Sequence, residues 1–110
     1  MLIVIASDPR ETHRPAEAIR VAAGLAALGS VDIEVCFCQA AALVLGPKTD
    51  DLVDAHIIRD HLPLLAQHAK RICAESGDPF LSEPKGIDYQ RIGLTELAQW
   101  AARQRNVIRF

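Results

Sequence analysis

A chain of 110 residues fits one domain, spanning 1–110, and leaves no room for a second of comparable size. Half of its residues are hydrophobic, 24% are charged and only 5% are aromatic, which argues against intrinsic disorder and against a membrane protein. The formal net charge of −2 argues against the broad basic footprint of a nucleic-acid binder.

The opening apolar run, Met1 to Ala6, is shorter than a signal-peptide core or a membrane span requires, so no membrane association is expected. The odd set Cys36, Cys38 and Cys73 fits a reducing compartment better than a disulfide scaffold, and a cytoplasmic location is the expectation.

Leu2-Ile3-Val4-Ile5 reads as a strand buried on both faces, the pattern that helical crossovers create in an α/β sheet. After the loop Ser7 to Glu11, Thr12 suits an N-cap and Pro15 is tolerated in a first helical turn. Ala18, Val21, Leu25 and Leu28 then recur at helical spacing, Ile19, Ala22 and Ala26 widen the stripe, and Gly29 supplies the stop. Val31, Ile33, Val35 and Phe37 alternate with Asp32, Glu34, Cys36 and Cys38, the period of a strand whose acidic beginning is wet or near a sheet edge. Gln39 to Leu45 reads as a short apolar helix, closed by Gly46-Pro47, and 48–54 as an acidic loop.

The stripe Ile58, Leu62, Leu65, Ala69 and Ile72 predicts a helix over 60–76, capped by Asp60 and carrying Pro63 in its first turn. An earlier turn over Asp54 to Arg59 is the alternative start. Gly77-Asp78-Pro79 would end that helix, leaving Cys73 on the margin of its packed stripe. Phe80-Leu81-Ser82 is read as a short strand, Pro84-Lys85-Gly86 as a turn, and Tyr89 to Ile92 as another strand. Leu94, Leu97, Ala98 and Ala101, with Thr95 near the cap, mark a last helix, and Val107 to Phe110 a last strand. The order β-α-β-α-α-β-β-α-β predicts an α/β three-layer sandwich around a mostly parallel sheet of four or five strands. Ligands of such sheets sit at the carboxyl ends of the strands, here 7–15, 38–42 and 82–88.

The first loop lacks the glycine patterns of dinucleotide and P-loop sites, so no nucleotide cofactor is expected. A small anion could still meet the helix start at Thr12, helped by Arg10, His13 and Arg14. Cys36 and Cys38 share a strand face with Cβ atoms about 7 Å apart, too far for a disulfide. Without a second cysteine pair they make a weak zinc signal, and both also suit small apolar filling. Cys38 stands out because it ends its strand beside a helix start, where amide dipoles favour a thiolate. His13, His56, His61 and His68 form no metal or triad motif, and Asp50, Asp51 and Asp54 lack the spacing of a calcium loop, so no metal is expected. Arg91, Arg103, Arg105 and Arg109 lack interleaved aromatics, and Trp100 reads as a packing or interface residue.

Met1-Leu-Ile-Val-Ile-Ala-Ser-Asp-Pro9, the alanine-rich stretch Ala16 to Leu28, Val35-Cys-Phe-Cys-Gln-Ala-Ala-Ala-Leu-Val-Leu45 and the close Leu94 to Phe110 together resemble the DsrE/DsrF-like family. These are small cytoplasmic α/β proteins that include sulfur-relay subunits. The resemblance implies a flavodoxin-like sandwich, a dimer, trimer or hexamer, and in relay members a persulfide on a cysteine after the third strand. In this chain Gly77 to Glu83 takes that place, with Ser82 or Glu83 where the thiol belongs. A second register makes Lys70-Arg-Ile-Cys73 the strand and Cys73 the reactive residue, at the expense of the Leu62–Ile72 helical stripe.

The leading expectation is therefore a non-catalytic homo-oligomer that binds a small, anionic ligand or a partner protein through Asp8, Arg10, Thr12, His13, Arg14 and Gln39. The alternative is a persulfide sulfur carrier with Cys73 or Cys38 as nucleophile.

Overall fold

The structure is a computed structural model that describes residues 1–81 and 87–110. Strand β1 (Leu2–Ile5) is buried at every position and pairs on one side with β2 (Glu34–Phe37) and on the other with β5 (Val107–Arg109). Beyond β2 lie β3 (Arg71–Glu75) and β4 (Gln90–Ile92), giving the order β4-β3-β2-β1-β5 with each of these pairings parallel. Helices α1 (Arg14–Leu28) and α2 (Ala55–His68) pack together on one face, and α3 (Leu94–Arg103) lies on the other. A three-layer α/β sandwich with a parallel sheet is the result.

Strand alternation divides the core in two. Ile3, Ile5, Val35, Phe37, Ile72 and Ala74 point to α1 and α2, where they meet Ile19, Ala22, Leu62 and Leu65. Leu2, Val4, Cys36, Cys38, Cys73 and Ile92 point to the α3 side and its Trp100. Small residues let α1 lie close to the sheet, since Ala16, Ala18, Ala22 and Ala23 are all buried. Full burial of a side chain such as Leu65 or Ile19 contributes about 1.5–3 kcal/mol. Helix α1 stops at Gly29, whose φ of 75° is left-handed, with its amide donating to the Ala26 carbonyl at 3.2 Å. His13, not Thr12, occupies the N-cap position, while Thr12 Oγ1 accepts the Arg14 amide at 3.4 Å.

The helix expected over 60–76 is the main correction. α2 begins earlier, after Asp54, so Asp60 and Pro63 fall inside it rather than at its start. It ends at His68, and Ala69 is extended at φ −67°, ψ 142°. The Lys70 amide then donates to the Ile33 carbonyl at 2.9 Å, and residues 71–75 run as β3 between two parallel neighbours. Ile72 misled the periodicity because it faces the same core as Leu62 and Leu65, from the sheet rather than from the helix. Ladder pairing on both sides overrides local helical preference there. Cys73 is consequently a strand residue.

Smaller differences follow the same logic. Only Glu34–Phe37 of the 31–38 alternation pairs as a strand, and β2 is central rather than at an edge. Asp32 is exposed, with Lys70 Nζ 3.7 Å from its carboxylate. Gln39–Leu45 is a 3-10 helix. Phe80 lies in a turn and Leu81 is not in a strand, while Ser82 and the turn expected at 84–86 lie outside the described residues. Among the described residues no helix is long and apolar enough to cross a membrane.

Candidate functional site: thiols at the carboxyl edge of the sheet

Parallel strands deliver their carboxyl ends to one edge, so Ser7–Asp8 after β1, Cys38–Gln39 after β2 and Ser76–Asp78 after β3 share a rim. Asp88, expected there, instead leads into β4 at the opposite edge, and 82–86 lie outside the described residues.

Three free thiols gather on the α3 face. Cys36 stands opposite Cys73 in the β2–β3 register, and both are fully buried. Cys38, two residues on, faces the same way, and its Sγ lies 3.7 Å from that of Cys36, within the reach of a thiol hydrogen bond. Cys73 has the strand setting of the second register but lies in mid-strand under α3, on the face opposite α1, and thus away from the Thr12–Arg14 helix start. Its thiol is 4.0 Å from Gln90 Oε1, and burial pushes it up to about 11. Such a thiol is inert packing near neutral pH.

Cys38 is different. Its amide donates to the Ile5 carbonyl at 2.8 Å and its carbonyl accepts the Ala41 amide at 3.2 Å, which fixes the strand end. Gln39 then takes a left-handed φ of 53° and turns the chain away. Cys38 retains 7% of its surface where Cys36 retains none. The hydrogen bond with Cys36 holds the Cys38 thiol below the ordinary range; burial and the Glu75 carboxylate oppose this, Arg109 assists it, and Asp78 opposes it. Cys36 moves strongly upward, through its bond to Cys38 and its own burial. The downward shift falls on Cys38 and the upward one on Cys36, the more deeply buried of the two.

The loop after β3 supplies a group that the sequence pattern hid. Asp78 is buried; its Oδ1 accepts the Phe80 amide at 2.9 Å and its Oδ2 has no hydrogen-bond partner among the described residues. With Gln39, Glu75, Gly77, Pro79 and Phe80 it lines a pocket of about 190 Å³ at the rim. Gly77-Asp78-Pro79 reads as a helix terminator in sequence, which masks a carboxylate placed by the end of a strand. Glu75 and Arg109 were equally hidden, since only the register reveals that they bear on Cys38.

The remaining expected site residues lie at the first loop. Arg10 Nε and Nη2 grip the Asp8 carboxylate at 3.0 and 2.8 Å, and the guanidinium sits 5.2 Å from the Phe80 ring centroid. The Arg10 hydrogen bond holds the Asp8 carboxyl below its usual range. This pair joins the β1 and β3 loops and engages the Arg10 charge internally. His13 and Arg14 are exposed, and Glu17 adds negative charge to the first turn of α1. Gln39 is exposed beside Cys38, on the pocket side of the rim. Among the described residues no group of three His, Cys, Asp or Glu side chains is placed to hold a metal ion.

A crystal structure of the E. coli protein ychN superimposes with a TM-score of 0.79, over 99% of this chain and 97% of that one, at 20% sequence identity. The fold is that of ychN. The ychN likeness covers essentially the whole chain, and its fold is the three-layer α/β sandwich expected from the order of elements. No family model matches the sequence, and no curated protein does either.

Proposed function

We propose that this protein is a persulfide sulfur carrier, with Cys38 as the residue that holds the sulfur. The observation that carries the reading is the placement of Cys38 at the carboxyl end of β2, 3.7 Å from a fully buried thiol and with its own thiol held low. The ychN-like fold supports it, because the resemblance that led to this fold is to a group with sulfur-relay members. The expectation of a non-catalytic binding protein took residues 60–76 as a helix, and that premise is gone.

In the proposed reaction, Cys38–S⁻ attacks the outer sulfur of a donor R–S–SH. The donor S–S bond breaks, R–S⁻ leaves with its electron pair, and Cys38–S–SH forms. An acceptor thiolate R′–S⁻ then attacks the outer sulfur, yielding R′–S–SH and regenerating Cys38–S⁻. No net oxidation occurs in either step. Arg109 helps to hold the thiolate charge, and Cys73 packs the strand beneath. A reducing, cytoplasmic compartment suits free thiols. A homo-oligomer is part of the reading, supported by the apolar groove among Val4, Leu94, Leu97, Ala101 and Val107 beside the exposed edge strand β5.

The test is incubation with inorganic polysulfide followed by peptide mass spectrometry. The expected result is the mass of one added sulfur atom on the Cys38 peptide, lost in Cys38→Ser and kept in Cys73→Ser. An unlabelled Cys38 in the native protein overturns the reading.

A further inference from the structure

Two thiols two residues apart on one strand face are usually separated by a side-chain width, yet here the sulfurs stand at 3.7 Å. Either atom could donate, and the surroundings decide which does. Cys36 is fully buried, facing Cys73 across the ladder and enclosed with Leu2, Val4, Ile92 and Trp100. Burial and the Glu75 carboxylate both oppose a Cys36 thiolate. Cys38 sits at the strand end and is buried slightly less completely than Cys36. Three charged groups bear on it besides Cys36: Glu75 from β3, Asp78 from the next loop and Arg109 from β5. Helix α3 packs Leu97, Trp100 and Ala101 against this face, and its Glu96 bears on Cys73.

We propose that Cys36 donates its S–H to Cys38 and thereby makes Cys38 the better leaving group when the carried sulfur is handed on. This rests on the carrier reading above and assigns the residue that sets its direction. In the loaded state, Cys38–S–SH, the Cys38 sulfur is bonded and uncharged and the carried sulfur lies one bond further from Cys36. When an acceptor thiolate removes that outer sulfur, the S–S bond breaks and its electron pair returns to Cys38 Sγ, where the Cys36 hydrogen bond is ready to receive it. The bond is therefore stronger in the empty state than in the loaded one. A lower-pKa leaving thiolate departs faster, so Cys36 biases the protein toward giving sulfur rather than storing it. Cys36 is a positioning residue: its proton stays on its own sulfur throughout, and no Cys36–Cys38 disulfide forms.

Two variants test this in the full chain. Cys36→Ala removes the donor, and Cys36→Ser keeps a hydroxyl donor at the same place. The first measurement is the pH midpoint of Cys38 alkylation by iodoacetamide, which needs no sulfur chemistry. The alanine variant should move it upward by about one pH unit, and serine should restore most of it. The second measurement is sulfur release from loaded Cys38 to dithiothreitol, which should slow by about threefold in alanine and recover in serine.

An unchanged midpoint in the alanine variant overturns the proposal even if Cys38 carries sulfur normally. So does an equal shift in both variants, which marks a packing effect. If the native protein takes up no sulfur, the carrier reading fails, and with it the role of Cys36 in release, whereas the alkylation midpoint still decides the Cys36–Cys38 hydrogen bond by itself.

Discussion

The Arg71 guanidinium lies over the Trp100 ring, 4.4 Å from its centroid, so that a β3 side chain clasps the helix covering the thiols. Arg71 Nε also donates to Gln90 Oε1 at 2.6 Å, and its Nη2 stands 3.8 Å from a Glu96 carboxylate oxygen. One cation thus joins β3, β4 and α3. Trp100 supplies the large apolar surface of that contact and is 3% exposed.

Trp100→Ala should therefore destabilise the fold by about 3–5 kcal/mol in denaturant titration. Arg71→Ala, which removes the stacking but leaves the indole, should cost about 1 kcal/mol. The alanine variant at Trp100 should also make Cys36 and Cys73 accessible to a thiol reagent under native conditions. Unchanged labelling would mean that α3 is not what shields them.

Opposite charges near Cys38 predict opposite pH effects. Raising pH increases the thiolate, so the low-lying Cys38 reacts first, and Cys73, pushed up to about 11, reacts only in alkali. Glu75→Gln removes a like charge and should lower the Cys38 alkylation midpoint, whereas Arg109→Gln should raise it. Shifts of the same sign in both variants would contradict the placement of these groups. pH-resolved labelling with peptide mass spectrometry reads all three residues at once.

Gly29 gives a test of backbone alone. A Cβ built there meets nothing within 4 Å, yet φ is +75°, so Gly29→Ala carries conformational strain without a clash. The expected loss is about 1–2 kcal/mol, measured by chemical denaturation, with Cys38 reactivity unchanged.

The elements that formed as their sequence patterns imply are those whose partners are of one kind. Leu2–Ile5 is apolar throughout and is buried throughout, and the stripe Ala18–Leu28 closes on a glycine that is left-handed in the structure. Residues 60–76 failed because two periodicities overlap: Leu62, Leu65 and Ile72 serve one core from two different elements. Sequence spacing records which side chains are buried, and the ladder partners that choose between helix and strand lie on other segments of the chain, at Val35 and Cys36 on one side and Gln90 and Arg91 on the other. The same separation along the chain explains the site. Cys38 was visible as a thiol at a strand end, but Glu75, Asp78 and Arg109 reach it only through register and loop closure, which no local pattern encodes.

Helix α3 spans ten residues, most of them exposed, and it shelters a face that holds every cysteine of the chain. A short peripheral helix of this kind opens by local fluctuation at far lower free energy than the whole fold. The rate at which peroxides consume Cys36 and Cys73 would then follow the detachment of one helix, so that ageing of these two sulfurs in air tracks the grip of α3 and not the melting temperature of the protein.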